Sequence, residues 1–169
     1  MNQTEFVVLI SPFKDKVFRL AKRLLISKEE AEDATQEVLT KLWTKNETLK
    51  KFISIEAFAM TITKNYCLDQ LKSKRANNES LVHTNYIDRA PSLEKKLEDQ
   101  DSLKWVETCL AQLPEQQRII MQLRDVEEYE FQEIATLLQM KESAVRVSLS
   151  RARKIIREYI INTHTYGNQ

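Results

Sequence analysis

Apolar residues recur along most of the chain at intervals of three and four, the spacing of one face of an amphipathic helix. Phe13, Val17, Leu20 and Leu24 mark the first such run, with Ser11-Pro12 placed as N-cap and first helical residue. Ser27-Lys28-Glu29-Glu30 has the form of a capping box and opens a second helix from 28 to about 45, with Ala31, Ala34, Val38 and Leu42 as its inward stripe. After a polar loop, Ser54 caps a third helix that continues to about Arg75, with Ile55, Phe58, Ala59, Ile62 and Tyr66 on one side. Three apolar stripes predict one bundle.

Residues 76–91, ANNESLVHTNYIDRAP, lose that period and gather Asn, Ser and Thr before a terminal Pro. Beyond them, Ser92 caps a helix through Leu97, Val106 and Leu110, Leu113-Pro114 starts another, and 130–138 and 143–161 follow. The expected fold class is all-α: two small helical domains, 1–75 and 92–169, joined by a flexible linker at 76–91.

Composition supports helices and narrows the chemistry. The 169 residues include one glycine and three prolines, too few for a fold built on tight turns. No stretch of about 18 apolar residues and no cleavable signal pattern is present, so a cytoplasmic protein without membrane insertion of its own is expected. Cys67 and Cys109 form no Cys-x-x-Cys pair, and His83 and His164 have no neighbours at ligand spacing. No metal or cofactor is expected. Nor is there a Ser/His/Asp order or a glycine-rich phosphate loop, which argues against an enzyme.

Net charge is only +1, but it is unevenly spread. Residues 125–133 hold five acids and no base, whereas 141–158 hold six bases and two acids. This places a basic face on one short segment. That segment closes the run EFQEIATLLQMKESAVRVSLSRARKIIREY, 130–159, which has the form of a helix-turn-helix. Its first helix carries Phe131, Ile134, Ala135 and Leu138. In its second, Val145, Leu149, Ala152 and Ile156 fall within roughly 60° of one another. Ser143, Arg146, Ser150, Arg153, Lys154 and Arg157 take the opposite half. One face packs and the other is free for DNA. Ser143, Arg146, Val147 and Ser150, near the helix start, are placed for base edges, and Arg151, Arg153, Lys154 and Arg157 for phosphates. The same pattern fits a solvated basic helix of an ordinary bundle. The turn has Gln139 where glycine eases a left-handed backbone, and Lys141 where Ser or Asp would cap.

Two segments together resemble the extracytoplasmic-function class of bacterial sigma factors. AEDATQEVLTKLW (31–43) with FAMTITKNYCLDQLKSKR (58–75) is similar to region 2 of that family, and LPEQQRIIMQLRDVEEYEFQEIATLLQMKESAVRVSLSRARK (113–154) resembles region 4. The resemblance implies a first domain that docks on core RNA polymerase and binds the minus-ten element, and a second that reads the minus-thirty-five element. The implied partners are the polymerase, through its β′ coiled coil and its β subunit, and promoter DNA, with an anti-sigma factor left open. Phe58 stands where the family usually has tryptophan.

In the first domain, Asp33, Gln36, Glu37 and Thr40 share a face within about 100°. By resemblance, Asp33, Gln36 and Glu37 match the polymerase-binding motif, where carboxylates can meet arginines. On the third helix Lys64, Lys72 and Arg75 lie within about 80°, a track for a phosphate backbone. Asn65 and Asp69 match polar positions of the family motif, and on a helical wheel Asp69 falls toward the apolar side. The competing functions are a stand-alone helix-turn-helix regulator and a helical interaction adaptor. Near-neutral total charge disfavours the first, because autonomous affinity for DNA comes mainly from phosphate neutralisation.

Overall fold

A computed structural model describes residues 1–49, 51–81 and 99–166, with side chains described to 78 and again over 104–163. These residues are helical throughout their ordered elements, with no strand among them. The first region comprises α1 (Gln3–Ile10), α2 (Lys14–Leu25), α3 (Lys28–Thr44), the single turn α4 (Asn46–Leu49) and α5 (Ile55–Leu81). The second comprises α6 (Asp99–Ala111), α7 (Glu115–Met121), a π-helical turn (Gln122–Val126), α8 (Phe131–Leu138) and α9 (Glu142–Tyr166).

Local signals explain most of the helix starts. Ser27 Oγ accepts the Glu30 N–H at 3.4 Å, and Ser54 Oγ accepts the Ala57 N–H at 3.1 Å. Ser11-Pro12 behaves otherwise. An earlier helix, α1, is capped by Asn2 accepting from Glu5 N–H at 2.8 Å, and Ser11 is its C-cap. α2 then begins two residues after Pro12, with Phe13 at its N-cap. Proline's fixed φ serves here in the turn between two helices, so the expected start at Ser11-Pro12 is corrected.

α5 also differs from expectation, running to Leu81 and so including 76–81 of the proposed linker. Ala76, Asn77, Asn78 and Glu79 include neither Gly nor Pro, so nothing stops a helix already propagating. The rest of the linker, and Ser92 and Leu97, lie outside the described residues.

Ala31, Ala34, Val38 and Leu42 of α3 are fully buried, as are Val17 and Leu20 of α2. On α5 the deepest line is Ala59, Met60, Thr63 and Cys67, each without exposed surface. Ile55, Phe58, Ile62 and Tyr66 flank it, partly buried. The stripe is rotated because Thr63 joins the core, its hydroxyl donating to the Ala59 carbonyl at 2.8 Å and so leaving no orphan donor. Burial pushes the Cys67 thiol up to about 12.

The two regions pack on each other. One cluster of buried side chains spans both, with α2 against α7 and the π turn and α5 against α8. Polar pairs cross the same junction. Arg19 donates from Nε and Nη2 to the two carboxylate oxygens of Glu127, each at 2.7 Å, and Arg23 Nε donates to Gln122 Oε1 at 2.9 Å. Gln122 Nε2 in turn donates to Glu127 at 3.0 Å. Nearby, Glu56 accepts from the Tyr129 hydroxyl and from Lys16 Nζ at 2.8 Å.

Candidate nucleic-acid interface

The pair α8–α9 is built by two features of the sequence. Ile134, Ala135 and Leu137 on α8 are buried against Val145, Leu149 and Ala152 on α9, with Ile156 partly buried below them. Between the helices, Gln139 takes the left-handed conformation (φ 53°, ψ 46°), and Met140 N–H reaches back to the Ala135 carbonyl at 2.9 Å. The Gln139 backbone is the one anticipated for a glycine position. α9 starts at Glu142, and the Lys141 carbonyl accepts the Val145 N–H at 3.1 Å, so the backbone of Lys141 occupies the capping position.

The opposite face of α9 is open. Ser143, Arg146, Val147, Ser150, Arg151, Arg153, Lys154 and Arg157 are all exposed. They are not equally available. Arg146 donates from Nε and Nη2 to Glu142 Oε1, at 3.2 and 2.6 Å, and its guanidinium lies 3.9 Å from the centre of the Phe131 ring. Arg153 is held by Asp125 on the π turn, at 2.6 and 3.3 Å, and that hydrogen bonding raises its pKa above the ordinary arginine value. Lys154 makes a looser pair with Glu158 at 3.8 Å. Arg151 and Arg157 pair with nothing among the described residues.

On the first region, Asp33 and Gln36 are exposed and Glu37 is half-exposed, pairing with Lys41 at 3.4 Å. Lys41 also caps the Tyr66 ring, 5.0 Å from its centre, which joins the acidic face of α3 to α5. Asn65, Asp69 and Lys72 are exposed. Asp69 therefore has no buried charge to satisfy, which corrects the helical-wheel expectation. The deeper line through Thr63 and Cys67 turns it outward. Lys64 is partly covered, and burial lowers its pKa. Arg75 is bound to Glu115 at the start of α7, so the basic track of α5 ends on the second region.

The sequence reading did not anticipate the cation contacts of Phe131 or the pairing of Phe52 with Phe58. Phe131 counted as a core residue, yet its ring meets both Arg146 and, at 4.6 Å, Arg124. Phe52 stacks on Phe58 with ring centres 4.2 Å apart, and Lys45 lies over Phe58 at 5.7 Å, beside the fully exposed Ile53. The acid run 125–133 was the available signal for Asp125, since it offers partners for the neighbouring basic helix.

A helical protein that displays a helix-turn-helix with a cationic outer face belongs to the DNA-reading class. A family model for sigma-70 region 2 matches residues 9–77, and one for sigma-70 region 4 matches residues 103–156. The two together match well over half of the sequence, and the chain belongs to the extracytoplasmic-function class of sigma-70 factors. It is similar to the ECF RNA polymerase sigma factor SigE of Mycolicibacterium smegmatis, 28% identical over 156 residues. That alignment covers 90% of this chain and 60% of the relative's length. It is also similar to SigW of Bacillus subtilis, 20% identical with 94% and 90% covered. Among solved structures, the fold is shared with the sigma factor RpoE of Bartonella quintana, in complex with the anti-sigma factor NepR. The TM-score is 0.72 at 20% identity, over 92% of this chain and 96% of that one. It is shared too with CnrH in complex with the cytosolic domain of CnrY, TM-score 0.69 at 18% identity over 95% and 90%. Among the described residues no helix is long and apolar enough to cross a membrane.

Proposed function

We propose that this chain binds core RNA polymerase and directs it to a particular set of promoters. In this reading the exposed face of α3, with Asp33, Gln36 and Glu37, docks on the β′ coiled coil, and the second region contacts the β subunit. Lys64, Asn65, Lys72 and Arg75 follow the opened strand at the minus-ten element, and α9 reads the minus-thirty-five element. The chain performs no catalysis of its own; the polymerase does the chemistry, in the bacterial cytoplasm. An anti-sigma factor as regulator fits this reading, because one of the similar solved structures is a complex with an anti-sigma factor and the other a complex with a cytosolic domain.

One observation carries the proposal: an exposed acidic face on α3 and an exposed cationic face on α9 lie on a single chain whose net charge is only +1. Near-neutral total charge disfavours tight autonomous binding to DNA, and a partner that binds DNA itself supplies the remainder. A stand-alone regulator would bind without one. Purified chain added to core polymerase should yield transcripts from defined fragments of a genomic library. Transcripts from core alone, or none from the mixture, would overturn the proposal.

A further inference from the structure

Phe131 is the first residue of α8, and two arginines share its ring. Arg124 is fixed there by its Nη1 donating to the Tyr129 carbonyl at 2.8 Å and by an ion pair with Glu130 at 3.3 Å. Arg146 arrives from the first turns of α9, its guanidinium carbon 3.9 Å from the ring centre. A free arginine on a helix surface samples many rotamers, and ordering it on DNA costs that freedom. Here much of the ordering is already done. Stacking occupies the flat face of a guanidinium and leaves its N–H edges in plane and available. Glu142 takes one edge, through Nε and Nη2, whereas Nη1 donates to no acceptor among the described residues. Guanine presents O6 and N7 side by side in the major groove, and a two-point contact with it requires the guanidinium plane to be set in advance.

We infer that Phe131 is a positioning residue for base recognition: its ring sets the plane in which Arg146 meets a guanine edge, while Glu142 sets the rotation within that plane. This rests on the reading that α9 enters the major groove of the upstream element. Phe131 touches no base itself. Its effect is therefore confined to the base that Arg146 reads, and it leaves the phosphate contacts unaltered.

The test is transcription by holoenzyme reconstituted with the full chain, on a promoter library randomised across the upstream element, at two salt concentrations. Arg146→Ala should lower preference at one position by roughly tenfold or more. Phe131→Leu, which keeps apolar bulk against α9, should lower preference at that same position by roughly two- to fivefold, with an unchanged salt slope. Phe131→Tyr should restore it. If Phe131→Leu melts too low to assay, pentafluorophenylalanine at 131 keeps the ring's shape and reverses its charge distribution, and the same loss is expected. A normal profile for Arg146→Ala would sink the underlying reading of α9. A position-specific loss for Arg146→Ala without one for Phe131→Leu or the fluorinated ring would sink the positioning role alone. So would a loss spread evenly over all positions, or failure of Phe131→Tyr to restore preference.

Discussion

Arg19 on α2 and Glu127 beyond the π turn form a two-point ion pair in which the arginine side chain is 45% exposed and the carboxylate 1%. The pair is lopsided. Glu127 is sealed from water by the docking of the two regions, with only Arg19 and Gln122 to replace its hydration. Losing one partner of a buried pair typically costs about 3–5 kcal/mol, because the survivor is left charged and dry.

Arg19→Ala should therefore loosen the junction between the two regions. Glu127 can recover its water if the regions separate, so the cost saturates at the docking free energy and neither region need unfold. Small-angle scattering should report a larger radius of gyration for the variant with helicity unchanged. An unaltered radius together with a lowered melting temperature would mean that the junction is rigid.

The acidic face of α3 makes a separate prediction. Reversing both charges, Asp33→Lys with Glu37→Lys, should weaken binding to core polymerase at least tenfold while changing stability by less than about 1 kcal/mol, since neither side chain is buried. Pull-down with core polymerase and a thermal melt measure the two quantities.

On α9, Lys154→Ala should weaken all promoters alike and lower the salt dependence by about one phosphate contact. Arg153→Ala should act less than its exposure suggests, because its guanidinium must first leave Asp125. Holoenzyme affinity measured against salt separates the two. Equal slopes for both variants would show that Asp125 does not compete.

Glu56 links acidity to the same junction. Burial pushes its pKa up, but hydrogen bonds from Lys16 and Tyr129 outweigh burial and hold it below the ordinary 4.5. A carboxyl with a depressed folded pKa contributes stability above its unfolded pKa, and that contribution is lost as pH falls through the folded value. The chain should therefore lose stability below about pH 4.5, and Glu56→Gln should flatten that part of the profile. Denaturant melts across pH 3 to 6, about the carboxylate range, provide the comparison.

Gln139 supplies the fifth prediction. A left-handed conformation costs a residue with a Cβ roughly 1–2 kcal/mol relative to glycine. Gln139→Gly should raise stability by about 1 kcal/mol in urea unfolding and leave the promoter profile unaltered. A loss of stability would mean that the Gln139 side chain contributes more than its backbone costs.

The helix-turn-helix was legible because its apolar residues keep a 3.6 period, and burial of Val145, Leu149 and Ala152 leaves the polar half outside. The inward stripe of α3 was legible for the same reason. Thr63 was not, since a core threonine is recognisable only once its hydroxyl finds the backbone. α1 was missed because Ser11-Pro12 carries a strong start signal that a turn also satisfies. Pairs such as Arg19–Glu127 and Arg75–Glu115 join positions far apart in sequence, and single charges carry no period. The faces offered to polymerase and DNA could be expected from helical geometry, whereas the pairing of each cation could not.

The packed junction of α2 with α7 also sets a scale of length. Promoter elements named for positions ten and thirty-five lie about 25 base pairs apart, or roughly 85 Å at the rise of B-DNA. Two regions that share one buried cluster cannot straddle such a distance. If both elements are to be read at once, the docked arrangement is a resting state, and only the undocked fraction of molecules is competent. Apparent affinity for polymerase and promoter is multiplied by that fraction, and so reduced. On that condition the strength of a few cross-junction contacts would set a threshold on transcription, adjustable by single substitutions that touch neither DNA nor polymerase.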